Sequence, residues 1–279
     1  MCIFRQMCAL ILLGGLAIAP AHAQSAQVCD YTINSLPMVI GAAGNYCLTH
    51  NFMIQLESGN AITVSTHNVT IDCNGYQINN EASSEATLAI GIYADSSRKN
   101  ITVRNCLIRA FNYGVELLGG SGHLIEDNRF DNNRYVGIRV NGENNQVLRN
   151  RVFYNGSKFN IYSYGWGIYA SADVIDNTVA GVIASGPNVS TWGITMLGAG
   201  TEARGNLIRG LTATGTGTAV GIRVTAPGVT LDRNRVSATA TTAGIGISGN
   251  TDTFCMNNTV AYFGTTIASC RSSGGNDSY

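Results

Sequence analysis

The stretch YVGIRVNGENNQVLRNRVFYN, residues 135–155, decides how the rest of the chain is interpreted. It contains a glycine followed by an apolar, polar, apolar alternation, GIRV at 137–140. A polar turn follows, and then a second segment of the form apolar-x-x-Asn-x-apolar, VLRNRV at 147–152. Such alternation is typical of short β-strands with one apolar face. Because a unit this small cannot bury that face alone, we expect further copies to stack on it.

Both segments recur along the chain. The glycine segment begins at Gly91, Gly114, Gly137, Gly167, Gly193, Gly221 and Gly244. The asparagine segment places one asparagine in each copy, at Asn128, Asn150, Asn177, Asn206, Asn234 and Asn258, with Asn74 and Cys106 in the same column. The spacing predicts a coil of short strands stacked about 4.8 Å apart around one continuous core. A propeller needs a longer period, and the leucine pattern of a leucine-rich repeat is absent.

The asparagine column predicts a ladder inside the coil. An inward asparagine can bond the backbone of its own unit and the amide of the next one, which satisfies groups left unpaired at a bend. Asparagine is also common in turns. That preference alone does not explain one asparagine in every unit.

The repeated GI-x-V and N-x-I segments resemble those of the right-handed parallel β-helix of the pectate-lyase-like superfamily. TINSLPMVIGAAGNYCLTHN at 32–51 and VTIDCNGYQI at 69–78 also look like the opening of exported members. The resemblance implies an all-β, single-stranded right-handed parallel β-helix of about eight rungs over residues 60–265. Residues 24–59 would form an N-terminal cap and residues 266–279 a C-terminal tail, whose last part, SSGGNDSY at 272–279, is expected to be disordered. The superfamily includes lyases, hydrolases, epimerases and non-enzymes, so the fold leaves the function open.

The first 23 residues predict a cleavable secretory signal. Arg5 supplies the positive charge, the apolar run 9–19 is too short to cross a bilayer, and Ala-His-Ala at 21–23 fits a cleavage site. No later segment is apolar for long enough to span a membrane. The expected location is therefore secreted or periplasmic.

Six cysteines follow the signal, which suggests three disulfides among 15 possible connectivities. Within the stacked units, Cys73 and Cys106 lie on adjacent rungs, so a bridge between them is feasible. Cys29 and Cys47 would tie down the cap. Cys255 and Cys270 would close the last coil.

Charge and composition limit the partners. The chain of 279 residues has a formal net charge of zero, so nucleic acid is a poor candidate partner. Carboxylates and arginines alternate on neighbouring units around Asp72, Arg104, Asp127 and Arg149, which favours surface ion pairs over a calcium site. The cysteines contain no CxxC pair, so the sequence does not indicate a zinc site. We expect a monomer without metal or cofactor.

Chemistry is expected on the outer face of the glycine strands. If Ile92 points inward, Tyr93 points outward, and equal positions stack into one stripe: Tyr93, Glu116, Arg139, Tyr169, Thr195, Arg223 and Gly246. Short turns before Gly114 and Gly137 leave a groove over Glu116 and Arg139. The same alternation turns Trp166 and Trp192 inward, where stacked core aromatics are expected.

A groove with aromatic rings, an arginine and a carboxylate suits an acidic polysaccharide. The predicted catalytic residues are Arg139, Tyr169, Tyr93 and Glu116, which would support β-elimination or epimerisation of a uronic acid. The predicted substrate-binding residues are Asn112, Tyr135, Arg223, Tyr154, Lys158, Tyr162 and Tyr164. Glycoside hydrolysis needs two facing carboxyls, and only Glu116 sits well on this face.

Two other interpretations stay open. Glu116 and Arg139 would also be explained as one more surface ion pair, with tyrosines that are ordinary on β faces. The whole chain would then be a non-catalytic structural or adhesion solenoid of the cell envelope. Threonine-rich stretches at 212–218 and 239–242 suggest a flat binding array, but their spacing is uneven.

Overall fold

A computed structural model describes residues 28–156 and 162–279 of the chain. The predicted signal at 1–23 and the predicted substrate-binding residue Lys158 lie outside the described residues. Every regular element within them is a β-strand. The strands are, in chain order, β1 (Tyr31–Ile33), β2 (Met38–Ile40), β3 (Gly44–Leu48), β4 (Phe52–Met53), β5 (Asn60–Val64), β6 (Val69–Asp72), β7 (Gln77–Asn79), β8 (Ile90–Ala94), β9 (Ile101–Arg104), β10 (Leu107–Arg109), β11 (Tyr113–Leu117), β12 (Leu124–Glu126), β13 (Arg129–Asp131), β14 (Val136–Val140), β15 (Gln146–Leu148), β16 (Arg151–Phe153), β17 (Tyr164–Ala170), β18 (Asp173–Ile175), β19 (Thr178–Ala180), β20 (Ser190–Met196), β21 (Glu202–Arg204), β22 (Leu207–Arg209), β23 (Ala219–Val224), β24 (Thr230–Asp232), β25 (Arg235–Ser248), β26 (Phe254–Met256), β27 (Thr259–Ala268), β28 (Arg271–Ser272) and β29 (Asp277–Ser278).

The strands stack into three parallel sheets, and one rung is one circuit of the chain through all three. The first sheet holds the glycine strands in the order β2, β5, β8, β11, β14, β17, β20, β23. The second sheet runs from β1 through β3, β6 and every third strand to β24, then β26 and β28. The third sheet holds β4, β7, β10, β13, β16, β19 and β22. The long strands β25 and β27 join the first and third sheets. The predicted all-β parallel solenoid is confirmed.

The core runs along the axis of the stack, as the alternation predicts. Its first-sheet column is fully buried and consists of Ile92, Val115, Ile138, Ile168, Ile194, Ile222 and Ile247. The third sheet contributes a second buried column, Ile78, Ile108, Phe130, Val152, Val179, Ile208, Val236 and Val260. Each fully buried aliphatic side chain contributes about 1.5–3 kcal/mol, so the repeated apolar positions stabilise the stack.

The asparagine ladder occupies the corner between the second and third sheets and is confirmed. Asn150 is representative: its main-chain N–H donates to Asn177 Oδ1 at 2.8 Å, and its Nδ2 donates to the carbonyl of Ile125 at 2.8 Å. The same bonds continue from Asn128 to Asn258 and end on Asn276. These buried amides therefore satisfy the backbone where the chain bends.

The disulfide prediction is confirmed for all three pairs. Cys29 bonds Cys47, Cys73 bonds Cys106, and Cys255 bonds Cys270. The predicted ion pairs across rungs also form. Arg104 contacts Asp72 at 2.9 Å, and Arg149 contacts Asp127 at 2.7 Å. The disulfides and the ion pairs thus both connect neighbouring rungs, the Cys73–Cys106 bridge from within the buried core and the ion pairs from the surface.

Two details of the predicted repeat are wrong. Gly246, rather than Gly244, continues the glycine column, because Ile222 pairs with Ile247 and a Cβ on Gly221 would meet the Gly246 carbonyl. Asn74 is exposed and donates to the carbonyl of Leu48, because two extra residues separate the strands there.

Both ends of the stack extend beyond residues 60–265. The strands β1 to β4 precede residue 60 and already pair in parallel with later strands. The tail expected to be disordered forms β28 and β29, which pair with β26 and β27. The tail is ordered because Asn276 supplies one more ladder residue. In the described part of the chain, no helix has the length and apolarity required to cross a membrane.

Candidate functional site

The outer face of the first sheet carries the predicted stripe. The strand register stacks Tyr93 on Glu116, Glu116 on Arg139, Arg139 on Tyr169, Tyr169 on Thr195, and Thr195 on Arg223. The position after Arg223 belongs to Ser248 instead of Gly246. Adjacent members of the stripe are therefore one interstrand spacing apart, about 4.8 Å.

The glycine of each first-sheet strand breaks the alternation and creates a second outward column. A Cβ on Gly167 would point into the core, 2.5 Å from Val179 Cγ1, and Ile168 beside it is also fully buried. Two consecutive inward positions leave Trp166 and Tyr169 both facing outward, with ring centroids 5.3 Å apart. The corresponding positions of neighbouring strands form the column Tyr113, Val136, Trp166, Trp192 and Val220.

The expectation that Trp166 and Trp192 are core aromatics is therefore wrong. Both belong to the outer face, where their rings lie 4.8 Å apart. Trp166 is nevertheless 9% exposed, because neighbouring outer-face aromatics cover it. Tyr113, which shares the column, was missed for the same reason. The signal that could have found it is the glycine itself, since the residue directly before each glycine of the repeat lies in this column.

Arg139 lies at the centre of this face. Its Nη1 donates to Glu116 Oε1 at 2.8 Å, and its guanidinium carbon is 5.8 Å from the ring centroids of both Tyr113 and Tyr169. Glu116 is only 6% exposed. Burial raises the pKa of the Glu116 carboxyl, and the nearby Arg139 charge partly opposes that rise. The pair holds the guanidinium between two rings and cancels its charge.

A small depression opens beside Arg139. It has a volume of about 140 Å³ and is lined by Tyr113, Tyr135, Val136, Arg139, Trp166 and Tyr169. Burial raises the pKa of Tyr113 to about 12, so its phenol is neutral and donates a proton rather than accepting one at neutral pH. Glu116 and Tyr93 do not line the depression. Glu116 instead lies behind Arg139 and positions it.

A tyrosine stack borders the depression on one side. The rings of Tyr135 and Tyr162 are stacked with centroids 3.7 Å apart, and Asn112 Nδ2 donates to Tyr162 Oη at 3.0 Å. Tyr135 also meets Tyr113 and Trp166 edge to face. Desolvation by this packing raises the pKa of Tyr135. The structure thus brings together Asn112, Tyr135 and Tyr162, as predicted for the groove.

A second aromatic group lies further along the stack. Tyr164, 42% exposed, stacks on Trp192 with ring centroids 4.5 Å apart. The guanidinium carbon of Arg223 lies 4.7 Å from the centroid of the same indole. Trp166 contacts both Tyr164 and Trp192, so this group is continuous with the depression.

Tyr154 is the predicted site residue that the structure separates from the others. It follows β16 in the third sheet and lines a different surface depression with Phe153, Gly181 and Arg209. Its prediction as a substrate-binding residue of the groove is wrong, because Tyr154 directly follows β16 and therefore lies at the third sheet. Lys158 lies outside the described residues.

Four polar atoms on the face are buried and lack hydrogen-bond partners among the described residues: Asn112 Oδ1, Arg139 Nε, Trp166 Nε1 and Thr195 Oγ1. Unpaired buried polar atoms are rare in folded proteins, and each calls for a physical explanation. His, Cys, Asp and Glu of the described residues form no group of three or more that could hold a metal ion.

Comparison with known proteins identifies relatives of the fold. The family described as "Right handed beta helix region" matches residues 40–197 and 91–277. Among solved structures, the chain is similar to the crystal structure of Dettilon tailspike protein, with 15% identity and a TM-score of 0.50. The match covers 86% of this chain and 50% of the tailspike chain, so this chain spans about half its length and the likeness concerns the fold alone. No curated protein matches the chain.

Proposed function

The chain belongs to the right-handed β-helix family, and from that premise we propose that the outer face of its first sheet binds a polysaccharide. The observation that carries the proposal is the depression lined by four aromatic rings around one arginine. Ligand sites combine such apolar and aromatic walls with a few fixed polar groups. Sugar rings offer flat C–H faces to aromatic rings and hydroxyls to hydrogen-bonding groups, so they match both features.

The shape of the aromatic surface supports a chain rather than a single sugar. From Tyr135 through Trp166 to Trp192, aromatic rings contact each other across three consecutive strands of the first sheet. The surface therefore runs parallel to the axis of the stack. A polymer lying along it would contact the depression and the Tyr164–Trp192 group at once, and contacts linked in this way add to affinity.

A second candidate is β-elimination or epimerisation of a uronic acid at the same depression. The observation that favours it is the placement of Arg139 between Tyr113 and Tyr169, 5.8 Å from each ring. Arg139 would hold the sugar carboxylate, and Tyr169, acting as a phenolate, would take the proton from C5 beside that carboxylate. In elimination the neutral Tyr113 phenol would then protonate O4 as the C4–O4 bond breaks and the C4–C5 double bond forms. In epimerisation Tyr113 would instead return a proton to C5 from the opposite face. Glu116 would position Arg139 without touching the sugar, and Tyr93 would take no part.

Two substitutions of one residue, Tyr169, distinguish glycan binding from catalysis. We expect Tyr169→Ala to weaken binding to glycans about tenfold, which corresponds to about 1.4 kcal/mol. Tyr169→Phe should bind normally, because the ring is kept, and should lose any release of unsaturated sugar ends. The control is Tyr154→Ala, since Tyr154 is an exposed tyrosine of the third sheet.

The measurement is binding of the disulfide-bonded protein to a panel of acidic and neutral polysaccharides, with absorbance of unsaturated ends followed in parallel. Equal losses for the Tyr169→Ala and Tyr154→Ala variants would contradict the proposed site. Binding without any reaction would remove the second candidate. No binding across the panel would favour the structural solenoid.

A further inference from the structure

The outer face of the first sheet contains two arginines in the same column, and they differ in charge balance. Arg139 and Arg223 are separated by Tyr169 and Thr195, hence by three interstrand spacings or about 14 Å. Arg139 is paired with Glu116 at 2.8 Å. Arg223 forms no ion pair with the described residues, and both of its neighbours in the column, Thr195 and Ser248, are uncharged.

The packing around Arg223 orients its guanidinium. The group lies over the indole of Trp192, 4.7 Å from the ring centroid, and Tyr164 stacks on the same indole. A guanidinium held on an aromatic ring keeps its planar fork of N–H donors free for an anion. Among the described residues no acceptor for the Arg223 side chain is found, so its donors remain available.

We propose that Arg223, Trp192 and Tyr164 form a subsite for an acidic sugar residue, and that the polysaccharide bound by this face is anionic. The inference rests on the proposed function and names its substrate class. The carboxylate of a uronic acid would accept two parallel N–H bonds from Arg223 while the sugar ring packs against Tyr164. The subsite at Arg223 does not depend on the charge of the sugar in the depression, where Arg139 is already paired with Glu116.

The separation of the two arginines sets the ligand length. About 14 Å, three interstrand spacings, lies between the depression at Arg139 and the subsite at Arg223. A monosaccharide cannot reach from one to the other, so full affinity requires an oligosaccharide. Within that oligosaccharide, the charged residue must lie at the end that contacts Trp192.

The test uses one uronic-acid polysaccharide in native form and in carboxyl-reduced form, which has the same backbone without charge. We expect Arg223→Gln to weaken binding of the native form about tenfold and to leave the reduced form unchanged. Arg223→Lys should recover part of the loss, since it keeps the charge without the bidentate geometry. The matched control is Arg151→Gln. Arg151 lies on the third sheet, 5.4 Å from the Phe153 ring, and forms no ion pair with the described residues.

Four outcomes decide between the possibilities. A loss confined to the native form and absent from the control supports the subsite. Equal losses for both forms overturn it, because Arg223 would then only hold Trp192 in place. Wild-type protein that binds both forms equally also overturns it, while the aromatic site stands. A sulfated glycan is measured in parallel, and its binding without binding of the native uronic-acid form overturns the uronic acid assignment.

Failure of the proposed function has a different signature. In that case wild-type protein binds neither form, and Tyr169→Ala changes nothing. Loss of the acidic-sugar subsite alone leaves the effect of Tyr169→Ala on the reduced form intact.

Discussion

Replacement of Arg139 by glutamine should destabilise the fold strongly, although Arg139 lies on the outer face. Its partner Glu116 has a side chain only 7% exposed, and Arg139 Nη1 is its only hydrogen-bond donor among the described residues. Loss of the guanidinium leaves a buried carboxylate without a counter-charge. Breaking a buried ion pair in this way costs about 3–5 kcal/mol. Because the Arg139 side chain is itself 30% exposed, water weakens the pair, and we expect about 2–3 kcal/mol.

The loss of folding stability caused by Arg139→Gln should depend on pH in a defined direction. Burial raises the pKa of Glu116 against the opposing effect of Arg139. A carboxyl with a raised folded-state pKa binds a proton more readily in the folded protein than in the unfolded chain. Stability from this group is therefore highest in acid and is lost as pH rises through the folded pKa. Without Arg139 the pKa rises further, so the penalty of Arg139→Gln should be complete near neutral pH and should shrink toward about pH 4, the ordinary range of glutamate.

The assay is urea unfolding of wild type and variants with disulfides intact, at both pH values. Glu116→Gln is the matched control, since it leaves a partly solvated arginine instead of a buried charge and should cost about 1 kcal/mol. The double variant Glu116→Gln, Arg139→Gln should be more stable near neutral pH than Arg139→Gln alone. A pH-independent cost, or a double variant less stable than the single one, would refute the reasoning.

Three further outcomes test the architecture. Gly193→Ala should destabilise by several kcal/mol, about 2–4, because its Cβ would lie 2.6 Å from the carbonyl of the next glycine in the column. Gly41→Ala, with nothing within 4 Å, should cost less than about 1 kcal/mol in the same urea titration. Replacing both Cys73 and Cys106 by alanine removes a cross-link between residues 33 positions apart in sequence. The free energy of unfolding, measured by thermal unfolding, should fall by about 3–4 kcal/mol. Asn177→Ala should cost about 2–4 kcal/mol by urea unfolding, since it leaves the buried N–H of the preceding ladder asparagine unpaired.

The stacked architecture could be predicted because each of its causes is local and repeated. An isoleucine or valine after each glycine, such as Ile138 or Val115, marks the inward face, and an asparagine in nearly every unit marks the corner. Equal positions then become neighbours, which is why the Cys73–Cys106 bridge and the contact between Glu116 and Arg139 followed from counting residues. No knowledge of the turns was needed for these pairs.

A second, shorter asparagine ladder is present that the repeat pattern did not predict. Phe111 N donates to Asn133 Oδ1 at 3.1 Å, and Asn133 N donates to Asn155 Oδ1 at 2.9 Å. Both asparagines follow a residue of the first ladder, Asn128 or Asn150, by five positions. The signal was present, but it covers only two rungs and lies in a turn, where asparagine is common for other reasons.

The outer face could be predicted only in part, because alternation fails at glycine. In a strand whose side chains strictly alternate between the two faces, residues 166 and 168 lie on the same face. Because Ile168 points into the core, strict alternation predicts that Trp166 does so too. The close approach of Gly167 to the Gly193 carbonyl, which would leave a Cβ 2.7 Å from that oxygen, excludes any other residue and allows two successive inward positions. Sequence periodicity does not contain this shift, since it depends on how two rungs pack.

The same glycine explains why a binding face exists on this sheet. A regular strand shows one outward side chain for every two residues, and a pleated surface of that kind is flat. Here the inward glycine leaves outward residues three positions apart, as at Trp166 and Tyr169, whose rings turn toward each other. Repetition over neighbouring rungs turns this break in the alternation into two parallel columns with a trough between them. Aromatic residues fill both columns only around Arg139, which is where the depression forms. The glycine column therefore serves the core and the ligand face at once, and a substitution that restores alternation should flatten the trough even if the rung still folds.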